Sequence, residues 1–151
     1  MRRLWIAAAA FAASCSGAVS QEALNSAMAQ RRLEAYVNTW SANEDINASS
    51  VDHYYANRVV YYGKPMSRRQ VLRDKLNYIA VWPERHYRIV PGTVSADCDR
   101  GRTLCRVSGI MAWNRHSTNG RTSIGRARLT LILSRDSGGK IVRESASLHA
   151  Q

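Results

Sequence analysis

Arg126-Ala127-Arg128-Leu129-Thr130-Leu131-Ile132-Leu133-Ser134 carries the clearest structural signal in this chain. Ala127, Leu129, Leu131 and Leu133 alternate with Arg126, Arg128, Thr130 and Ser134. An extended backbone therefore turns one set toward a core and the other toward water. Upstream, Val107, Gly109, Met111 and Trp113 alternate against Arg106, Ser108 and Asn114. Downstream, residues 140–149 place Val142, Ala146 and Leu148 on one side, with Glu144 among them. Turn signals at Pro91-Gly92, Asp99-Arg100-Gly101, Asn119-Gly120 and Asp136-Ser137-Gly138-Gly139 separate these runs, so everything after Arg85 reads as an antiparallel sheet.

Before Arg85 the period changes. Leu24, Ala27, Met28, Leu33, Tyr36, Val37 and Trp40 recur at three- and four-residue spacings, which predicts a helix over residues 22–42. Residues 43–47 break it, residues 48–55 suit a shorter second helix, and residues 58–62 read as a strand ended by Gly63. Ser67-Arg68-Arg69-Gln70 has the form of a capping box and opens a third helix. Val71, Leu72, Leu76 and Ile79 keep helical spacing along it until Pro83 ends the element. Three helices followed by a strongly curved antiparallel sheet is an α+β plan.

The N-terminus carries a different message. Arg2 and Arg3 precede a short apolar run, and Ala18-Val19-Ser20 stands before Gln21, the pattern of a cleavable export signal over residues 1–20. About ten apolar residues fall short of the roughly twenty that span a bilayer, so no transmembrane segment is expected. The mature product reads as a soluble, exported protein of the periplasm or exterior, a single domain over residues 21–151. Lipid anchoring through Cys15 of Ala12-Ala13-Ser14-Cys15 is the alternative. Cleavage after Ser20 leaves Cys98 and Cys105, which flank the turn at Gly101 and are candidate disulfide partners in an oxidising compartment.

The chain has 151 residues and a formal net charge of +11, carried by 22 basic residues, all but three of them arginine. Such a surface favours anionic partners. Arg85, Arg106, Arg126 and Arg128 are candidate anion-binding groups, with Arg85 also placed to pair with an acid such as Glu144. Export argues against nucleic acid. The four histidines, His53, His86, His116 and His149, lack ligand spacing, so neither a metal nor a cofactor is expected. Nucleophile elbows and phosphate-cradling glycine loops are absent from the sequence.

The order of elements resembles the nuclear transport factor 2-like superfamily, which includes ketosteroid isomerase-like and SnoaL-type cyclase enzymes. The local likeness lies in Tyr54-Tyr55-Ala56-Asn57-Arg58-Val59-Val60-Tyr61-Tyr62-Gly63-Lys64, in Trp82-Pro83-Glu84-Arg85-His86-Tyr87 and in the closing strand, and suggests an exported bacterial subgroup. The resemblance implies a cone whose mouth holds a small ligand and, in the enzymes, an acidic base with a hydrogen-bond donor. Tyr36 is placed as a donor and Glu144 is the acid within the terminal strand pattern, whereas Asp97, Asp99 and Asp136 read as turn formers. Asp45 and Asp52 reach the cone only if the second helix tilts inward.

Trp40, Tyr55, Tyr62, Trp82 and Trp113 are candidates for the cone's wall, although aromatic residues pack cores equally well. The expectation is a noncatalytic binding domain for a small molecule, a peptide or an anionic envelope component. Two alternatives accompany it. One is a cone-fold isomerase, hydratase or cyclase acting on a small apolar substrate; the other is an interaction module that dimerises through its sheet face.

Overall fold

A computed structural model describes residues 24–148. The expected signal segment, Cys15 and His149 lie outside the described residues. Asn25 caps α1 (Ser26–Thr39) by accepting from the Met28 amide at 2.9 Å, so the helix starts four residues later than its apolar pattern predicts. α2 (Ala48–Tyr54) is opened by a reciprocal box between Asn47 and Ser50. Its last turn runs directly into β1 (Tyr55–Tyr61), which is longer at its start than the predicted strand. β2 (Lys64–Ser67) follows, and Ser67 and Gln70 form the expected capping box of α3 (Arg68–Val81).

The rest is sheet: β3 (Glu84–Ile89), β4 (Ser95–Cys98), β5 (Leu104–His116), β6 (Thr122–Ser134), a single 3-10 turn and β7 (Lys140–Leu148). Strand order is β2-β1-β7-β6-β5-β3, with β4 sharing the edge of β5 beside β3. The long β5–β6 hairpin pairs Leu104 with Ser134 at one end and His116 with Thr122 at the other. One junction departs from the antiparallel plan, because β1 joins β7 in parallel. The curved sheet is therefore mixed, and the first strand of the chain is sealed to the last.

The three helices fill the concave side of this sheet. Leu33, Tyr36 and Val37 of α1 meet Val107, Leu129, Leu131, Leu133 and Ile141 of the strands in one buried cluster. Fully burying each aliphatic side chain contributes about 1.5–3 kcal/mol. Gly109 lets α1 lie close over β5, since a Cβ there would come within 3.2 Å of Leu33. Cys98 and Cys105 sit opposite each other across β4 and β5, 4.0 Å apart at Cα, and are disulfide-bonded.

Two inward faces differ from the sequence pattern. In β7 the pairing passes from Arg143–Ile132 to Ile141–Leu133, leaving Val142 as an extra residue. This bulge resets the alternation, so Ile141 and Glu144, three apart, are both buried and Val142 is displaced from the inner set. In α3 Val71, Lys75 and Ile79 turn inward, whereas Leu76 is 43% exposed.

Asp99 is a turn former as expected, accepting from the Thr103 amide at 2.6 Å and the Leu104 amide at 3.2 Å. Asp97 is instead an exposed residue of β4. No helix among the described residues is long and apolar enough to cross a membrane.

Candidate functional site

A cavity of about 390 Å³ opens between the helices and the concave sheet. The elements that line it supply side chains at their own periods. α1 contributes Tyr36, Val37 and Trp40; α3 contributes Asp74, Lys75, Tyr78 and Ile79. The strands contribute alternate residues: Arg85 and Tyr87 from β3, Met111, Trp113 and Arg115 from β5, Ala127 and Leu129 from β6, and Glu144, Ala146 and Leu148 from β7.

Tyr61 and Tyr62 also line the cavity, although neighbours in a strand point to opposite faces. The backbone resolves this at Tyr62, which has a φ of 47° and begins the turn into Gly63 at φ 81°. A left-handed conformation is costly for a bulky side chain. Here the Tyr62 amide donates to the Glu144 carbonyl at 3.0 Å, and its hydroxyl donates to Glu144 Oε1 at 3.0 Å. Both bonds hold the strained turn against β7.

Glu144 is the hub of the site and is only 2% exposed. Its Oε2 accepts from the Tyr36 hydroxyl at 2.6 Å and from the Tyr55 hydroxyl at 2.5 Å, while the two hydroxyls lie 2.6 Å from each other. Three mutual contacts share two hydroxyl protons, so this trio has one edge open to a further proton. Burial, then the Glu144 charge, push the Tyr36 and Tyr55 hydroxyls well above the usual phenol range. Tyr61 and Tyr62 are pushed up by the same two causes. All four phenols stay protonated as donors at neutral pH.

Lys75 reaches the same cluster from α3. Its Nζ donates to the Tyr36 hydroxyl at 3.2 Å and lies 4.0 Å from the centre of the Trp40 ring. The rings of Tyr36, Tyr61 and Tyr55 surround it at 5.4, 5.5 and 5.7 Å. Burial lowers its pKa, opposed by the charges of Glu144 and Asp74.

Of the candidate pocket residues, Tyr36, Trp40, Tyr62, Trp113 and Glu144 line the cavity, and so does the candidate anion-binding residue Arg85. Tyr55 lies behind the wall, fully buried, and reaches the site only through its hydroxyl. Trp82 does not line the cavity; its ring packs on the Arg115 guanidinium at 4.5 Å. Arg115 in turn donates to the Tyr78 hydroxyl, which accepts from Tyr87 at 2.8 Å.

Among the described residues Arg85 has no carboxylate tie, neither with Glu144 as expected nor with another acid. It donates to the Trp40 carbonyl at 2.9 Å, the Trp82 carbonyl at 3.1 Å, the Pro83 carbonyl at 3.3 Å and the Asn43 side chain. Orphan carbonyls at the ends of α1 and α3 make a more complete set of acceptors than one carboxylate, and they claim the guanidinium for structure. Arg106, Arg126 and Arg128 are exposed and do not line the cavity. Asp52 faces outward in an ion pair with Arg68, with Lys140 at 3.8 Å. Among the described residues no group of three or more His, Cys, Asp or Glu is placed to hold a metal ion.

Sequence reasoning missed Lys75, Tyr61, Tyr78, Tyr87 and Arg115. Tyr87 and Arg115 were readable from strand alternation, since Arg85, Tyr87, Trp113 and Arg115 fall two residues apart. Lys75 was not, because a lysine among Leu72, Leu76 and Ile79 reads as solvent-facing.

No protein-family model matches the chain, and no curated protein matches its sequence. Solved structures do match. A nuclear transport factor 2-like superfamily protein from Salmonella enterica serovar Typhimurium superimposes with a TM-score of 0.67 at 9% identity, over 83% of this chain and 91% of that one. The chain has the nuclear transport factor 2-like fold. A candidate scytalone dehydratase from Novosphingobium aromaticivorans gives a TM-score of 0.66 at 10% identity, covering 82% and 85% of the two chains. A candidate polyketide cyclase from Pseudomonas putida gives 0.55 at 11%, covering 80% and 91%. At these identities the likeness establishes the nuclear transport factor 2-like fold, and one fold hosts many activities.

Proposed function

We propose that this chain is an exported small-molecule-binding domain whose cone takes a compact, largely apolar ligand with a polar group directed at Glu144 and its tyrosines. The observation that carries this reading is the 390 Å³ cavity with aromatic walls and one convergent polar cluster. That volume suits a small ligand and is narrow for a peptide. The outward arginines favour solvent or an acidic surface over stacking against a second copy of themselves. Residues 1–20 and the Cys98–Cys105 bridge support the exported setting.

The test is ligand-detected NMR with small aromatic and alicyclic alcohols, acids and ketones, comparing the native chain with Ala146→Trp. Ala146 is exposed at the cavity, so an indole there blocks the cone without disturbing the core. Binding lost in the variant, with an unchanged melting temperature, supports the reading. Equal binding by both proteins rejects it.

A second reading, acid–base catalysis, is favoured by one specific observation: a carboxylate stands inside the cavity among hydroxyl donors, with a lysine linked to the same cluster. Such a set can take a proton from a ligand carbon and donate to the oxygen where charge develops. Exchange of α-protons of bound ketones with deuterated water, abolished in Glu144→Gln while binding persists, is the outcome that separates enzyme from binder.

A further inference from the structure

We propose that Lys75 is a covalent anchor for carbonyl compounds: its ε-amino group condenses with an aldehyde or ketone held in the cone to give an iminium. This rests on the pocket reading above and names the ligand class.

Three features carry it. First, Lys75 lines the cavity, where most lysines on a helix would project to water. Its Nζ stands over the Trp40 ring at 4.0 Å, held at the wall, and among the described residues no carboxylate forms an ion pair with it. Second, the surroundings weaken the ammonium form. Burial dominates and Arg85 of β3 adds to it, against Glu144 of β7 and Asp74 of α3 itself; the phenols of Tyr36, Tyr55 and Tyr61 face Nζ from α1 and β1. A desolvated lysine is the usual source of a nucleophilic amine at neutral pH. Third, a proton path starts at Nζ: the amine donates to Tyr36 at 3.2 Å, and Tyr36 donates to Glu144 Oε2 at 2.6 Å.

The step balances on these groups. The ammonium gives a proton to the Tyr36 oxygen as the Tyr36 proton passes to Glu144. The neutral nitrogen then forms a bond to the carbonyl carbon, and one amine proton moves to the carbonyl oxygen, giving a carbinolamine. Glu144 returns its proton through Tyr36 to the carbinolamine hydroxyl. The C–O bond breaks, water leaves, and the nitrogen lone pair closes the iminium.

The chain has three lysines, Lys64, Lys75 and Lys140, which makes the test clean. Lys140 is a built-in control: its pKa is lowered too, yet it lies by Asp52 outside the cavity. The native chain is incubated with benzaldehyde and cyanoborohydride, which delivers hydride to the iminium carbon, and benzylated peptides are quantified by mass spectrometry.

Labelling of Lys75 roughly tenfold above Lys64 and Lys140, suppressed by excess benzyl alcohol and absent from a folded Lys75→Arg variant, is the expected result. Equal labelling of all three lysines overturns the inference, as does Lys75 labelling that benzyl alcohol leaves unchanged. If benzyl alcohol binds by NMR while Lys75 labels no faster than Lys64, the anchor is rejected and the pocket stands. If nothing binds and labelling is uniform, both fall. Lys75→Met, which removes the charge as well as the nucleophile, confirms folding of the site should the arginine fit poorly.

Discussion

The Tyr55 hydroxyl donates to Glu144 Oε2 at 2.5 Å, joining the first strand of the chain to its last across 89 residues. Tyr36 makes the same contact from α1 across 108 residues. Glu144 is thus a cross-brace as well as a functional group, and the two roles separate experimentally. In Glu144→Gln one oxygen still accepts, but an amide donor now faces hydroxyl donors, and a loss of about 2 kcal/mol in urea unfolding is expected. Glu144→Leu removes the acceptor shared by three hydroxyls, leaving Tyr36 and Tyr55 only each other, and should cost more than the glutamine variant.

The phenols set the alkaline limit of stability. Tyr36, Tyr55, Tyr61, Tyr62 and Tyr87 all have folded pKa values above the ordinary 10.0. The folded state therefore holds protons that the unfolded chain releases, and stability is full below pH 10.0 and falls as pH rises beyond it. Each such group steepens the fall by about 1.4 kcal/mol per pH unit. In a spectrophotometric titration the phenolate absorbance of these five should appear together with loss of tertiary structure.

Lys75 acts in the opposite sense and in an earlier window. Its folded pKa is lowered from 10.5, so the unfolded chain binds the extra proton and stability rises with pH up to 10.5. Lys75→Met should remove its share of that rise, leaving the part due to Lys140, and raise stability at neutral pH, read as a flatter plot of unfolding free energy against pH.

Arg85 is expected to be irreplaceable by lysine. Its planar fork meets the Trp40, Trp82 and Pro83 carbonyls and Asn43 from a position 2% exposed. A single ammonium cannot span them, and Arg85→Lys should lower stability by about 2–3 kcal/mol, measured by urea midpoint at unchanged slope.

Gly125 controls the cavity from behind. A Cβ at this position would overlap the Trp113 ring, which is bonded from Nε1 to the Ser123 hydroxyl at 3.2 Å. Gly125→Ala should drive the indole out of place, visible as a shifted tryptophan emission and a weakened affinity for any cone ligand, with the fold intact.

The fold was legible wherever one local rule acted alone. The alternation of 127–133, the Ser67-Gln70 box and the stop at Pro83 each specify an element without help from the rest of the molecule. Legibility failed where a single residue changes the period. The extra Val142 in β7 brings Ile141 inward in its own place, and the left-handed Tyr62 sends two adjacent tyrosines to one cavity. Lys75 was hidden for a different reason: its partners Trp40, Tyr36 and Tyr61 come from separate elements, and no spacing records that they meet.

The parallel seam between β1 and β7 also orders folding. Before β7 docks, the Tyr36 and Tyr55 hydroxyls have no carboxylate to donate to, and burying them would leave at least one without an acceptor. Closure of the cone is therefore expected to wait on contacts that span the domain, the slow class of folding event. Truncation ahead of residue 144 removes the keystone, not merely the tail.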